Sequence, residues 1–253
     1  MKNKKKILII GGGFAGCASA RILVKLKNVD ITIVEKSSVL GAGVRTNYFG
    51  GHPYTFGPRH FLTHNKDVYE YLNKIVPMRS CGDHQFITYV EKDNNFYNYP
   101  MHVDDIKKMP DKSKIKRELK NRNLEKIKNS KNLEEYWINS MGKTLYSKTI
   151  DEYNKKMWLV DDNKKIDTFN WSPKGAALKS GPRAAWDKAI SAYPIKENGY
   201  NDFFDKLDKK IKIKLNSEVR IVNLKKKIVS INKKKSLKFD IIISSISPDF
   251  FFN

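Results

Sequence analysis

Gly11, Gly13 and Gly16 stand at the spacing G-x-G-x-x-G, directly after the aliphatic run Lys6-Ile-Leu-Ile-Ile10. Glycines at these intervals serve one kind of chemistry. Gly11 permits a tight turn, Gly13 lets the backbone approach a pyrophosphate, and Gly16 lets a helix pack closely on a sheet. The amides opening that helix, at Phe14, Ala15 and Gly16, would then hold the phosphates. Asp30 to Glu35 reads as a second strand whose closing acid lies 24 residues after Gly11. Glu35 is placed to accept hydrogen bonds from ribose hydroxyls, with Lys36 beside it. Val39 to Arg45 supplies a second glycine-rich loop, in which Gly43 and Arg45 would bring further backbone and a cation to the cofactor. A plain NAD domain would more often enter another βα unit at this point; by analogy as well as physics, FAD is favoured over NAD.

Other residue groups carry weaker chemical signals. Gly57 to Asn65 holds His60 and His64 beside Arg59, on a Gly-Pro loop that suits a ligand pocket. Neither histidine has a cysteine or further histidine at ligand spacing, so no metal site is expected. Phe86 to Tyr99 reads as a hairpin turning at Asp93-Asn94-Asn95 with rings on one face. Lys107 to Lys131 reads as helices with a solvated basic face. Helical segments from Leu133 to Val160 follow, carrying Tyr136, Trp137, Tyr146, Tyr153, Met157 and Trp158. Trp171 to Gly175 and Ser180 to Arg183 are loop punctuation.

These residues need a scaffold, and the periodicity describes one. Lys6–Ile10 fits a strand buried on both faces. Ala15 to Lys27 predicts a helix with Ala18, Ile22, Leu23 and Leu26 on one face, and Asp67 to Ile75 an amphipathic helix capped by Asn65. Toward the end, Tyr200 to Lys209 reads as a helix, Ile211 to Leu215 as a half-exposed strand, Val219 to Asn232 as a hairpin, and Ile241 to Ser244 as a buried strand. The fold expected is α/β: an FAD-binding, Rossmann-like, three-layer domain of the glutathione-reductase type, with an inserted helical and antiparallel β-sheet substrate region. The boundaries are 1–80 for the first part of the cofactor domain, 81–200 for the insertion and 201–253 for the return.

Composition excludes several classes. The chain of 253 residues is 40% hydrophobic and 11% aromatic, enough to fill a core, so wholesale disorder is ruled out. No apolar run approaches the ~18 residues of a membrane span. Two cysteines cannot form a disulfide framework, which points to a reducing, cytoplasmic setting. Met1 to Ala20 has a lysine start, an apolar stretch and Cys17, as a signal peptide would, but three glycines break the helix such a signal needs. The net charge of +22 would suit nucleic acid, yet only eight of the 49 cations are arginine. Lysine without arginine, in a chain crowded with asparagine, reads as compositional drift rather than nucleic-acid recognition.

Taken in order, these segments resemble UDP-galactopyranose mutase over essentially the whole chain. The resemblance rests on Gly11–Gly16 with Glu35, on Gly57–His60, on the hairpin ending Asn98-Tyr-Pro-Met-His102, and on Tyr153-Asn-Lys-Lys-Met-Trp158. Arg183 and then Gly199-Tyr200 follow. The fingerprint is shared by many flavoproteins, whereas the Tyr-x4-Trp block in its place after the hairpin is far more specific. The resemblance implies an intramolecular transferase interconverting UDP-galactopyranose and UDP-galactofuranose. Reduced FAD attacks the anomeric carbon through N5, UDP leaves, and the ring recloses as the furanose with no net redox. NAD(P)H is implied as a possible reductant, a UDP-sugar as substrate and a homodimer as the assembly.

Carried over by position, His60 resembles the histidine beside the flavin ring. Tyr153 and Trp158 resemble residues lining the uridine and sugar pocket, and Arg183, with Lys179 as its rival, resembles the diphosphate cation. His102 and Tyr193 complete the implied substrate set. Departures bear on the sugar: His102 stands where the family has Asn, Met157 and Leu159 replace Gln and Gly, and the loop reads Gly-Pro-Arg-His rather than Gly-Ala-His. The family also continues past Asn253 with more strands, a second diphosphate arginine and a closing FAD segment. The rival expectations are an FAD oxidoreductase of the amine-oxidase or desaturase type, and an inactive fragment.

Overall fold

Lys5–Ile10 forms the first strand, β1, because its four consecutive aliphatic residues can be buried on both faces. The computed structural model describes residues 4–168, 178–186, 188–232 and 235–252. After the glycine turn, α1 spans Phe14–Leu23, shorter than the periodicity predicts. Its buried residues are Gly16, Cys17 and Ala20. Ala18 and Leu23 pack against the same core, but Ile22 is 58% and Leu26 56% exposed, so the expected apolar face is corrected. A helix brought this near a sheet admits small side chains beneath it and turns large ones outward.

β2 (Val29–Val34) pairs in parallel with β1. A short antiparallel pair follows, β3 (Asn47–Phe49) and β4 (His52–Tyr54), then β5 (Phe61–Thr63), α2 (Lys66–Asn73) and β6 (Met78–Ser80). Asn65 caps α2 as expected, its side chain accepting from the amides of Asp67 and Val68 at 2.9 and 3.2 Å.

Two units emerge from the contacts: residues Met1–Cys81 with Ala189–Asn253, and residues Gly82–Lys188. The second unit starts with the antiparallel hairpin β7 (Ile87–Val90) and β8 (Asn95–Asn98). It continues through α3 (Val103–Ile106), α4 (Lys112–Lys120), α5 (Leu124–Lys128), α6 (Leu133–Met141), α7 (Lys143–Thr149) and α8 (Asp151–Trp158). Its core joins Val90 and Tyr97 of the hairpin to Ile115, Trp137, Met141, Leu145 and Ile150 of the helices. Lys148 is buried there between the carboxylates of Asp93 and Asp111.

The first unit resumes with β9 (Ile190–Pro194), which runs antiparallel between β5 and β6, although the sequence boundaries put it in the insertion. After it come α9 (Asn201–Asp205), β10 (Lys212–Lys214), β11 (Val219–Asn223), β12 (Ile228–Ile231), β13 (Lys235–Lys238), β14 (Ile241–Ser244) and α10 (Pro248–Phe252). The parallel sheet runs β10-β2-β1-β14, and β11-β12-β13 form a separate antiparallel sheet. Alternation along the strands builds three layers. Ile7, Ile9, Ile31 and Ile33 face Cys17 and Ala20 of α1. Leu8 and Val34 face Val229 and Ile231 of the antiparallel sheet. The Rossmann-like α/β architecture read from the sequence is the one observed.

Candidate functional site

The carboxyl end of the parallel sheet is where the glycine loop lies, and each glycine there has a distinct reason. Gly11 has φ +97°, and a Cβ on it would lie 2.5 Å from Ser245 Oγ. That hydroxyl donates toward the carbonyls of Ile10 and Gly11, at 2.9 and 3.2 Å, and ties β14 to the turn. A Cβ on Gly16 would stand 2.0 Å from the Gly11 carbonyl oxygen, whereas one on Gly13 would meet nothing within 4 Å. Gly13 is thus open to whatever approaches its backbone. The first bond of the α1 ladder runs from Cys17 N to Gly13 O. No side chain caps this helix and its first turn holds no acid. The amides of Phe14, Ala15 and Gly16, at the positive end of the helix dipole, therefore fit an anionic group such as a pyrophosphate. Phe14 contributes only its amide, because its ring packs on Tyr200, Phe203 and Phe204.

Glu35 follows β2 and is 9% exposed. Its Oε2 accepts from Gly12 N at 2.7 Å and its Oε1 from Ser37 N at 2.8 Å. Burial pushes its pKa up, but the backbone donors of Ser37 and Gly12 outweigh burial and hold the carboxyl below the usual carboxylate range. Each oxygen retains a second acceptor position, so two ribose hydroxyls remain compatible with it. Glu35, Gly11 and Lys36 line a cleft of about 330 Å³ together with Ser217, Glu218, Val219, Arg220 and Ile246. The cleft suits a nucleoside half in size and composition. Sequence reasoning missed Ser217 to Arg220 and Ser245. The signal was present, since both segments adjoin strands read as returning to the first βαβ unit. Cys17 lies beneath the loop, fully buried, its thiol directed to the Gly12 carbonyl and pushed up to about 12 by burial. It has no nucleophilic role there.

Backbone bonds stitch the neighbouring loops to this one. Gly41 N donates to Gly12 O at 2.9 Å, and Gly57 N to Gly43 O at 2.5 Å. The second glycine loop thus links the first to the histidine loop. Arg45, expected to bring its cation to the cofactor, is held elsewhere: its guanidinium makes a bidentate pair with Asp205 at 2.9 and 3.1 Å. His60 Nε2 lies 2.8 Å from Ser191 Oγ, and its ring stacks on Tyr193 at 5.0 Å. His60 and Tyr193 are therefore brought together by β9, a pairing with no signature in spacing.

The second unit gathers His102, Lys179 and Arg183. His102 and Lys179 form an isolated parallel bridge. Arg183 donates through Nη1 to Asp105 Oδ1 at 3.0 Å and to Asn98 Oδ1. Its Nε and Nη2 have no partner among the described residues, so the guanidinium is anchored at one nitrogen with donors left for an anion. The Lys179 ammonium donates to the Ala184 carbonyl. His102 is corrected from the role expected of it. It is 2% exposed, accepts from Asp104 N through Nδ1 at 3.2 Å and donates through Nε2 to Gly181 O at 3.1 Å. Both ring nitrogens are committed to capping α3 and fixing the 179–183 segment. On α8, Tyr153 packs against Tyr99 at 5.6 Å, and Tyr153 and Trp158 are 42% and 39% exposed. The Trp171–Gly175 loop lies outside the described residues. Among the described residues, no cluster of His, Cys, Asp or Glu could hold a metal ion.

The fold is that of a Rossmann-like α/β protein, and residues 9–75 match the family described as the NAD(P)-binding Rossmann-like domain. A dTDP-fucopyranose mutase of Escherichia coli is 27% identical over 163 residues, covering 60% of this chain and 41% of the relative. The structure of a reduced UDP-galactopyranose mutase superposes on 98% of this chain with a TM-score of 0.79, at 18% identity and over 57% of its own length. A protein assigned as a protoporphyrinogen oxidase from Exiguobacterium shares the fold less closely, at TM-score 0.64, 15% identity and coverage of 96% and 59%. The chain thus has the fold seen in the mutase, and spans about half the length of the proteins it matches.

Proposed function

We propose that this protein is an FAD-dependent sugar-nucleotide mutase, an isomerase exchanging the pyranose and furanose forms of a hexose on UDP or dTDP. The observation that carries the reading is the sequence likeness to dTDP-fucopyranose mutase, supported by the mutase fold along nearly the whole chain. Reduced FAD, when bound, supplies the nucleophile that lets the sugar ring open and reclose. This chain's own residues would do the rest. The Phe14–Gly16 amides hold the cofactor pyrophosphate, and Glu35 takes the ribose. The two remaining nitrogens of Arg183 neutralise a diphosphate leaving group. Both dTDP and UDP are kept because the two relatives are named for nucleotide sugars that differ in both base and sugar.

The test is to load the chain with FAD, reduce it anaerobically with dithionite, and supply dTDP-fucopyranose and UDP-galactopyranose separately. New furanose anomeric signals by NMR, without net flavin oxidation, are expected from at least one. A second reading, a flavin oxidoreductase, draws on the fold shared with the oxidase. Stoichiometric oxygen consumption with a substrate and no furanose product would replace the first reading with the second.

A further inference from the structure

A parallel sheet puts the starts of all its strands at one end, opposite the carboxyl end that carries the nucleotide cleft. In this chain that opposite end is built of lysine. β1 is entered through Lys4, Lys5 and Lys6, and β2 is preceded by Lys25 and Lys27. β10 is preceded by Lys209 and Lys210. The turn from β11 into β12 is Lys225-Lys226-Lys227, and Lys238 stands just before β14. All of these lysines are exposed. Lys6, Lys212 and Lys238 line one cleft of about 540 Å³ with Asp30, Thr32 and Ser236, and the cleft runs along the sheet as far as Lys214 at the carboxyl end of β10.

The acids at this end do not balance them. Asp30 is paired with Lys212 at 2.8 Å, Asp240 accepts from the Lys6 amide at 2.7 Å, and Asp208 from the Lys210 amide at 2.8 Å. The carboxyl end of the same sheet carries a smaller excess, with Lys36, Lys214, Arg220 and Lys235 there against Glu35 and Glu218. Compositional drift alone would load both ends alike, whereas the strand starts carry the larger share of the exposed lysines.

We propose that the strand-start end of the first unit docks on an anionic lipid surface, leaving the nucleotide cleft facing away from the bilayer. Lysine without arginine or exposed aromatic rings suits a diffuse, negatively charged plane better than it suits nucleic acid, whose readers use bidentate and stacking contacts. The attraction acts within a Debye length, about 8 Å at physiological salt, so many short-range cations on one face are what it requires. This proposal is independent of the reaction catalysed.

The experiment is cosedimentation of the FAD-loaded chain with phosphatidylcholine vesicles, with and without phosphatidylglycerol, at low and high salt. Binding is expected only with the anionic lipid, weakening as salt rises. A triple variant taking one lysine from each of three segments, K5Q/K209Q/K225Q, is expected to lose on the order of 100-fold in partitioning, at about fivefold per lysine. The control K112Q/K116Q/K120Q removes the same charge from α4 of the second unit and is expected to bind as the parent does. Equal losses in both variants would show a response to net charge alone and overturn the proposal. So would RNA binding lost in the first variant while neither chain binds vesicles. Retained flavin absorbance in each variant confirms that the fold is intact.

Discussion

At single residues, the glycine loop separates positions that serve the fold from those that serve the ligand. A methyl at Gly16 would press on the backbone carbonyl of Gly11, which cannot move aside as a side chain could. Gly16→Ala is therefore expected to cost about 3 kcal/mol, read as a lower urea midpoint of the cofactor-free chain. A methyl at Gly13 meets nothing, so Gly13→Ala is expected to leave that midpoint unchanged. It should instead weaken FAD binding by about 1.5–3 kcal/mol, more than tenfold in Kd, through lost charge-assisted bonds to the pyrophosphate. Glu35 adds a pH signature. Its carboxyl is held below its ordinary value when folded, so its contribution is complete above that ordinary value and fades as pH falls through the folded one. Unfolding measured against pH should show a shallower acid limb in Glu35→Gln than in the parent. The turn at Gly11 and the close packing at Gly16 were legible because each obeys a local rule tied to spacing. The pairing of Arg45 was not legible, because its partner, Asp205, lies 160 residues away.

At the level of elements, the same division recurs between local and distant constraints. Asn65 was readable as a cap because capping is settled within four residues, and Asn65→Ala is expected to cost about 1 kcal/mol of stability. His102 was unreadable as a cap because its second bond reaches the Gly181 carbonyl, a contact made only when the 179–183 segment folds back on α3. His102→Ala would leave the Asp104 amide and that carbonyl without partners. A loss of about 1–3 kcal/mol is expected in denaturant unfolding. Had the ring served the substrate directly, the change would appear in KM with the unfolding midpoint intact. The same division holds for α1. Hydrophobic periodicity put Ile22 and Leu26 inside, but the closeness required at Gly16 decided which side chains fit. The pairing of β9 between β5 and β6 also left no mark in the sequence, since β5 and β6, of three residues each, carry too little alternation to be distinguished from loop.

Across the whole molecule, the chain leaves a parallel sheet, builds a second core, and returns to complete the first sheet with β10 and β14 and to add the antiparallel layer. That return was legible in the aliphatic run at Ile241–Ser244 and in the hairpin pattern before it. The charge was not, because a count of cations says nothing of where a parallel topology gathers them. The proposed function requires one molecular event, the seating of FAD across the Phe14–Gly16 amides and Glu35. The family described for residues 9–75 is named for NAD(P), which makes the choice of dinucleotide the sharpest question. Equilibrium dialysis of the purified chain against equal concentrations of FAD and NAD decides it. FAD is expected to be retained at one per chain, with NAD left outside and retention reduced in Gly13→Ala. Saturable uptake of NAD with FAD remaining free would rule out a flavin seated in this loop.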